Sequence, residues 1–152
     1  MLHGLLTFSV PTITPNELKK LQATRPLLLL DAREAKEYKV SHIAGALNVG
    51  YDHFDPAATD KLLAKAATDP RYSKNATVVV YCSVGYRSEK IGEKLGAMGY
   101  THVYNLYGSI FEWVNEGNAV VDAKGKPTPY VHAYNPAWGV WLTKGKKTYQ
   151  NP

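Results

Sequence analysis

The chain carries one cysteine, Cys82, in the run Cys82-Ser83-Val84-Gly85-Tyr86-Arg87-Ser88. Thiolate, not thiol, is the nucleophile, so the surroundings of the sulfur decide its chemistry. Before the run stands Thr77-Val78-Val79-Val80-Tyr81, β-branched and apolar, the strongest strand signal in the sequence. After it, Ile91, Leu95 and Met98 recur at helical spacing. A strand, a short glycine-containing loop and a helix would turn several backbone N–H groups toward the sulfur. The helix N-terminus adds partial positive charge and Arg87 a full one. Both favour thiolate, and the same cup would hold an anionic substrate. A core cysteine usually behaves as a small hydrophobe, but it would not need Ser83, Gly85, Arg87 and Ser88 around it.

The elements that must position this loop alternate between strand and helix. Thr14, Pro15 and Glu17 mark a helix start, with Thr14 at the N-cap, and that helix runs to about Gln22. Residues 27–31, four leucines closed by Asp31, form a short run typical of a strand buried on both faces. A helical turn over 34–38 follows, then a glycine turn at Gly45 into a brief strand. Residues 57–67 are predicted helical, with Leu62, Leu63 and Ala66 on one face. Gly99 stops the helix after Cys82. Residues 102–106 make another strand, and 110–116 a short helix ended by Gly117. Such alternation implies parallel pairing and an α/β class. Ligands of open α/β sheets bind outside the carboxyl ends of the strands, where Asp31 and Cys82 both lie.

From about Asn118 the composition changes. Gly125, Pro127, Pro129, Pro136, Trp138 and Trp141 predict an irregular extension packed on the domain by its aromatics. The 152 residues therefore divide into a domain at 1–117 and an extension at 118–152 of the same packed unit.

An apolar fraction of 45% and a charged fraction of 20% belong to a globular chain rather than a disordered one. No apolar run approaches the ~20 residues of a membrane helix, so no membrane partner is expected. Eighteen basic against thirteen acidic residues give a net charge of +5, suited to an anionic small substrate or an acidic partner. The basic residues do not cluster with aromatics as nucleic-acid binding requires, so no nucleic-acid partner is expected. A single cysteine excludes an internal disulfide and a cysteine-built zinc site. Met1 to Leu6 lacks the basic and apolar regions of a signal peptide. With the free thiol, this predicts a cytoplasmic location.

Over roughly residues 10–117 the sequence resembles the rhodanese domains, specifically their single-domain members. The likeness rests on Leu30-Asp31-Ala32-Arg33, Glu37-Tyr38 and Ser41-His42-Ile43-Ala44-Gly45-Ala46-Leu47-Asn48-Val49. It continues through the Cys82–Ser88 loop and Gly99-Tyr100, Val103-Tyr104-Asn105-Leu106, Gly108 and Trp113. Two positions depart from the family pattern. Ser41 stands where glycine is usual, and Tyr107 precedes Gly108 where two glycines are common; neither is expected to touch the Cys82 loop.

The resemblance implies a central, mostly parallel five-stranded sheet flanked by helices. It also implies sulfane-sulfur transfer without a metal or organic cofactor. Cys82 would take sulfur from a small anionic donor such as thiosulfate and pass it to cyanide, a thiol or a protein. The backbone N–H groups of Ser83, Val84, Gly85, Tyr86, Arg87 and Ser88 would cradle the persulfide, with Arg87 orienting the donor. Asp31 and Arg33 would shape the loop without reacting, and His42 would be a structural hydrogen-bonding residue. Two other readings compete. Phosphatases that use a cysteine loop have five residues between Cys and Arg, and Cys82 to Arg87 has four. A non-turnover persulfide carrier or interaction module of the same fold would load sulfur and release it slowly. An extension covering the loop would favour a protein donor or acceptor.

Overall fold

The computed structural model of the chain describes residues 6–67 and 74–149. Most of the segment inspected for a leader, and the last three residues of the extension, lie outside that range. Five strands form the central sheet: β1 (Thr12–Ile13), β2 (Leu28–Asp31), β3 (Leu47–Asn48), β4 (Thr77–Tyr81) and β5 (His102–Leu106). Their order is β1-β5-β4-β2-β3, parallel throughout. The short edge strand β1 carries no signal of its own in the sequence; it pairs with β5 at Thr12–Asn105 and Ile13–Leu106.

Side-chain alternation sorts the core into two layers. Leu28, Leu30, Val78 and Val80 face one side, where they pack with Leu63, Ile91 and Leu95. Those three come from α3 (Pro56–Ala66) and α4 (Tyr86–Ala97). Leu29, Val79 and Tyr81 face the other, against Leu18 of α1 (Pro15–Thr24) and Phe111 and Val114 of α5 (Ser109–Asn115). Both layers are dry at their centres: Val78, Val79 and Val80 are all fully buried. Each such side chain contributes about 1.5–3 kcal/mol of burial relative to exposure.

Helix boundaries follow local chemistry. The Thr14 hydroxyl accepts from the Glu17 N–H at 3.2 Å, and the Glu17 carboxylate accepts from the Thr14 N–H at 2.9 Å. This reciprocal box fixes the start of α1. Asp55 caps α3 through the Ala58 N–H. Gly99, at φ 100°, turns the chain out of α4, where the Tyr100 N–H returns to the Leu95 carbonyl. The remaining helix before the loop, α2 (Ala35–Val40), starts at Glu34 and is closed by extended Ser41. Ser41 has φ −166°, so serine in place of the usual glycine costs no backbone strain.

The extension packs onto the α1/α5 face. Val131, Ala133 and Leu142 are buried in the same cluster as Val79 and Phe111. Its irregular course is punctuated by short pieces. These are β6 (Val120–Val121) with β7 (Pro127–Thr128), β8 (Tyr130–His132) with β9 (Lys146–Thr148), and α6 (Pro136–Gly139). His42 anchors its start, exchanging both backbone hydrogen bonds with Val121 at 2.9 Å while its ring stacks on Tyr38. Among the described residues no helix is long and apolar enough to cross a membrane.

Candidate active site

Cys82 lies immediately beyond the carboxyl end of β4, three residues before Gly85, which caps α4. Its side chain is fully buried. The Gly85 N–H donates to Cys82 Sγ at 3.1 Å, and Ser88 Oγ lies 3.5 Å from the same sulfur. Gly85 has φ 115°, a left-handed backbone that side chains other than hydrogen rarely adopt. That turn aims the Gly85 N–H at the sulfur, at the start of α4.

The serine hydroxyl has one proton to give. Asn105 Oδ1 sits 2.6 Å from Ser88 Oγ, and Asn105 Nδ2 donates to the Gly85 carbonyl at 3.0 Å. The amide is thus oriented with its oxygen toward Ser88, and the shorter contact takes the proton. Ser88 therefore serves the sulfur mainly as a neighbouring oxygen, while Gly85 is its hydrogen-bond donor.

Two further groups hold the cysteine backbone. Ser109, itself at φ 52°, accepts from the Cys82 N–H at 3.1 Å and donates to the Leu106 carbonyl. The Ile110 and Phe111 N–H groups donate to the Cys82 and Ser83 carbonyls at 3.1 Å. The N-terminal turn of α5 is thus pinned to the loop, a link the sequence analysis did not anticipate.

Arg87 differs most from expectation. Its Nη1 and Nη2 grip the two carboxylate oxygens of Glu37 at 2.8 and 2.9 Å, and Nη2 also donates to Ser83 Oγ at 2.9 Å. The Nη face expected to orient the donor is engaged by Glu37 instead. The physical reason is burial. The Arg87 side chain is 5% exposed and Glu37 fully buried, and neither charge is tolerated there without its partner. Burial works against both charged forms, yet the mutual hydrogen bonds win, raising the Arg87 pKa and lowering that of Glu37 below its ordinary 4.5. Nε of Arg87 is buried and without a hydrogen-bond partner.

Asp31 and Arg33 form a second buried pair at 2.7 Å. Arg33 Nη2 also reaches the Ser41 carbonyl at 2.6 Å, and Asp31 stands opposite Tyr81 in the β2–β4 register. The pair braces the turn beside the residue before Cys82. Val84 and Tyr86 complete the loop: Val84 is buried in the core cluster that also holds Val131, Ala133 and Leu142. Tyr86 borders a small cavity of about 150 Å³ with Arg87, Tyr51, Tyr134 and Trp138. The Tyr134 ring lies 4.6 Å from the Arg87 guanidinium carbon. Tyr107 lines a second cavity together with Val84, which places it nearer the loop than the sequence suggested.

Sequence reasoning missed the roles of Glu37, Asn105, Ser109 and Tyr134. Glu37 and Asn105 fall inside recognisable motif segments, but nothing local signals their partners. Among the described residues no group of three or more His, Cys, Asp or Glu side chains is placed to hold a metal ion.

The family model described as "Rhodanese-like domain" matches residues 14–116. Among curated relatives, thiosulfate:glutathione sulfurtransferase of Saccharomyces cerevisiae is 31% identical over 98 residues, 63% of this chain and 70% of that protein. Thiosulfate sulfurtransferase PspE of Escherichia coli is 37% identical over 79 residues, 52% of this chain and 67% of that protein. The tRNA uridine(34) hydroxylase of Buchnera aphidicola is 26% identical over 106 residues; this chain spans 32% of its length. Among solved structures, the human single-domain sulfurtransferase TSTD1 aligns with a TM-score of 0.58 at 26% identity. That match covers 72% of this chain and all of the human one.

Proposed function

The chain belongs to the rhodanese-like domain family, and on that premise we propose that it transfers sulfane sulfur through a persulfide on Cys82. The observation that carries this reading is the Gly85 N–H at 3.1 Å from Cys82 Sγ under the N-terminus of a twelve-residue helix. An N–H and a helix dipole aimed at one sulfur stabilise negative charge there, first on the thiolate and then on the persulfide.

In the first half-reaction the Cys82 thiolate attacks the outer sulfur of a donor such as thiosulfate. The donor S–S bond breaks, sulfite leaves with the electron pair, and Cys82 carries the outer sulfur as a persulfide anion. In the second, a thiophilic acceptor takes that sulfur and the Sγ–S bond breaks, returning the thiolate. The amides at the start of α4 cradle the outer sulfur. Arg87 holds the loop through Glu37 and Ser83. Asp31 and Arg33 support the loop from behind. The six-residue span from Cys82 to Arg87 suits one sulfur atom better than a whole phosphoryl group.

A slower reading, that of a persulfide carrier serving a protein acceptor, is favoured by one observation. Cys82 is fully buried and its loop packs in one cluster with residues of the extension. Both readings share the persulfide. Exposure to thiosulfate should add the mass of one sulfur atom to the wild type and nothing to Cys82→Ser. Steady turnover with cyanide distinguishes the enzyme from the carrier. No mass gain with thiosulfate, polysulfide or an organic persulfide sinks both.

A further inference from the structure

Against the Cys82 loop, between α5 and the extension, lies a cleft of about 380 Å³, within the range of small-ligand sites. Val84 of the loop, Tyr107 and Phe111 form one side, and Val140 and Trp141 of the extension form the other. The Phe111 N–H also holds the Ser83 carbonyl, so the residue that floors the cleft is fastened to the loop. The opposite wall is built, not draped. Asn115 donates to the Trp141 carbonyl at 2.9 Å and accepts from the Thr143 and Lys144 N–H groups at 2.7 and 3.1 Å. Val140 stands at the rim with 65% of its surface exposed, an apolar side chain that nothing in the fold covers. The charged side chain in the lining is Glu112. Hydrogen bonding to Glu116, partial burial and repulsion by Glu116 raise its pKa. Its carboxylate, set in the cleft lining, repels anions and attracts cations.

We propose that this cleft is the acceptor subsite, and that it takes thiols with an apolar, uncharged or cationic body in preference to anionic thiols. The assignment rests on the persulfide reading above. Val140 and Trp141 lie beyond residues 14–116, so the apolar part of the preference is a property of this chain's extension, while Glu112 of the matched domain supplies the discrimination against anions. The persulfide places its outer sulfur about 2 Å beyond Sγ, on the loop whose Val84 forms the cleft wall. The acceptor sulfur bonds to that outer sulfur, the Sγ–S bond breaks with its electron pair kept by Cys82, and the thiol proton passes to the transferred sulfur. The product is the acceptor's persulfide, and the cysteine returns as thiolate.

The test separates loading from transfer. Full-length protein is loaded with thiosulfate, checked by intact mass, and discharged in single turnover by benzyl mercaptan, cysteamine, glutathione or mercaptosuccinate, with rates expressed per thiolate. Benzyl mercaptan and cysteamine are expected to act at least roughly tenfold faster than the two anionic thiols. Trp141→Ala should remove most of that advantage and leave the anionic rates unchanged. Val140→Asp, at a largely exposed position, should slow benzyl mercaptan while sparing cationic cysteamine. Glu112→Gln should raise the anionic rates. Equal rates across the panel, or variants that slow every thiol alike, overturn the proposal. Binding of unreactive benzyl methyl sulfide to unloaded protein, followed by calorimetry, is the independent arm. Binding lost in Val140→Asp supports the cleft even if loading fails and the persulfide reading falls; no binding overturns the cleft even if loading succeeds.

Discussion

Arg87 meets Glu37 through two parallel hydrogen bonds of 2.8 and 2.9 Å, sealed from water beneath the Cys82 loop. A guanidinium so engaged does more to shape the loop than to grip a substrate. Glu37→Gln leaves a buried cation without its counter-charge and should cost about 3–5 kcal/mol, measured by urea unfolding. A change within error would show that the pair is dispensable.

The same relationship predicts how Arg87→Ala behaves kinetically. Loss of loop geometry should lower kcat for thiosulfate and for an uncharged dialkyl trisulfide together, by roughly a hundredfold. A defect confined to the KM for thiosulfate would instead place the guanidinium directly on the donor. Arg87→Lys is expected not to rescue, because an ammonium cannot reproduce the two-pronged contact.

Glycines on α4 should respond with opposite signs. At Gly85 a Cβ meets only ordinary contacts, the nearest at 3.7 Å, so the obstacle to alanine is the backbone at φ 115°. Gly85→Ala should cost about 1–2 kcal/mol and misdirect the N–H that holds the sulfur. Gly96 lies inside the helix with open space around it, and Gly96→Ala should stabilise by about 0.5–1 kcal/mol. Paired denaturation curves decide; matching signs would refute the backbone explanation.

Ser88→Ala removes the hydroxyl that donates to Asn105 Oδ1, a buried acceptor, at 2.6 Å. The unmet oxygen should cost about 1–3 kcal/mol. Since Gly85 is the donor to Sγ, single-turnover transfer should fall by less than about tenfold, which is 1.4 kcal/mol. A rate loss far exceeding that value would assign the hydroxyl a direct part in the sulfur chemistry.

Stability should decline in acid before the carboxylates titrate. His132 of the extension is 1% exposed, its Nδ1 accepts from the Tyr134 N–H at 3.0 Å, and its Nε2 has no partner. Burial holds its pKa below the ordinary 6.5; nearby Glu37 opposes that shift while Lys36, Arg33 and Arg87 add to it. A depressed histidine binds protons more readily when unfolded. The stability present above pH 6.5 is therefore lost as pH falls toward the folded-state value. Glu37, lowered from 4.5, adds its own loss only below that pH. Melting curves of His132→Gln should be flatter than wild type between pH 6.5 and 4.5; parallel curves would show that His132 does not control this range.

Much of the scaffold was legible because its signals are local. Thr14 and Glu17 are three residues apart and cap one another; Val78 to Val80 announce a strand by their own side chains; Gly99 and Gly117 stop helices within a turn. The edge strand β1 escaped notice because two residues paired to β5 leave no periodicity. Within the site, Cys82, Gly85 and Ser88 were identifiable from spacing along one loop. Glu37 lies fifty residues before Arg87 and Ser109 twenty-seven after Cys82, so no local pattern joins them.

The sequence by itself determined that a lone cysteine follows a buried strand and precedes a glycine-capped helix, because propensity, capping and turn chemistry act over a few neighbouring residues. Only the tertiary structure decided where the charge of Arg87 goes and what packs against the Cys82 loop. A buried guanidinium must find a carboxylate wherever the fold brings one, and that carboxylate is Glu37 on α2. An extension with apolar side chains must bury them on whatever face is open, and Val131, Ala133 and Leu142 found theirs beside Val84 of the Cys82 loop.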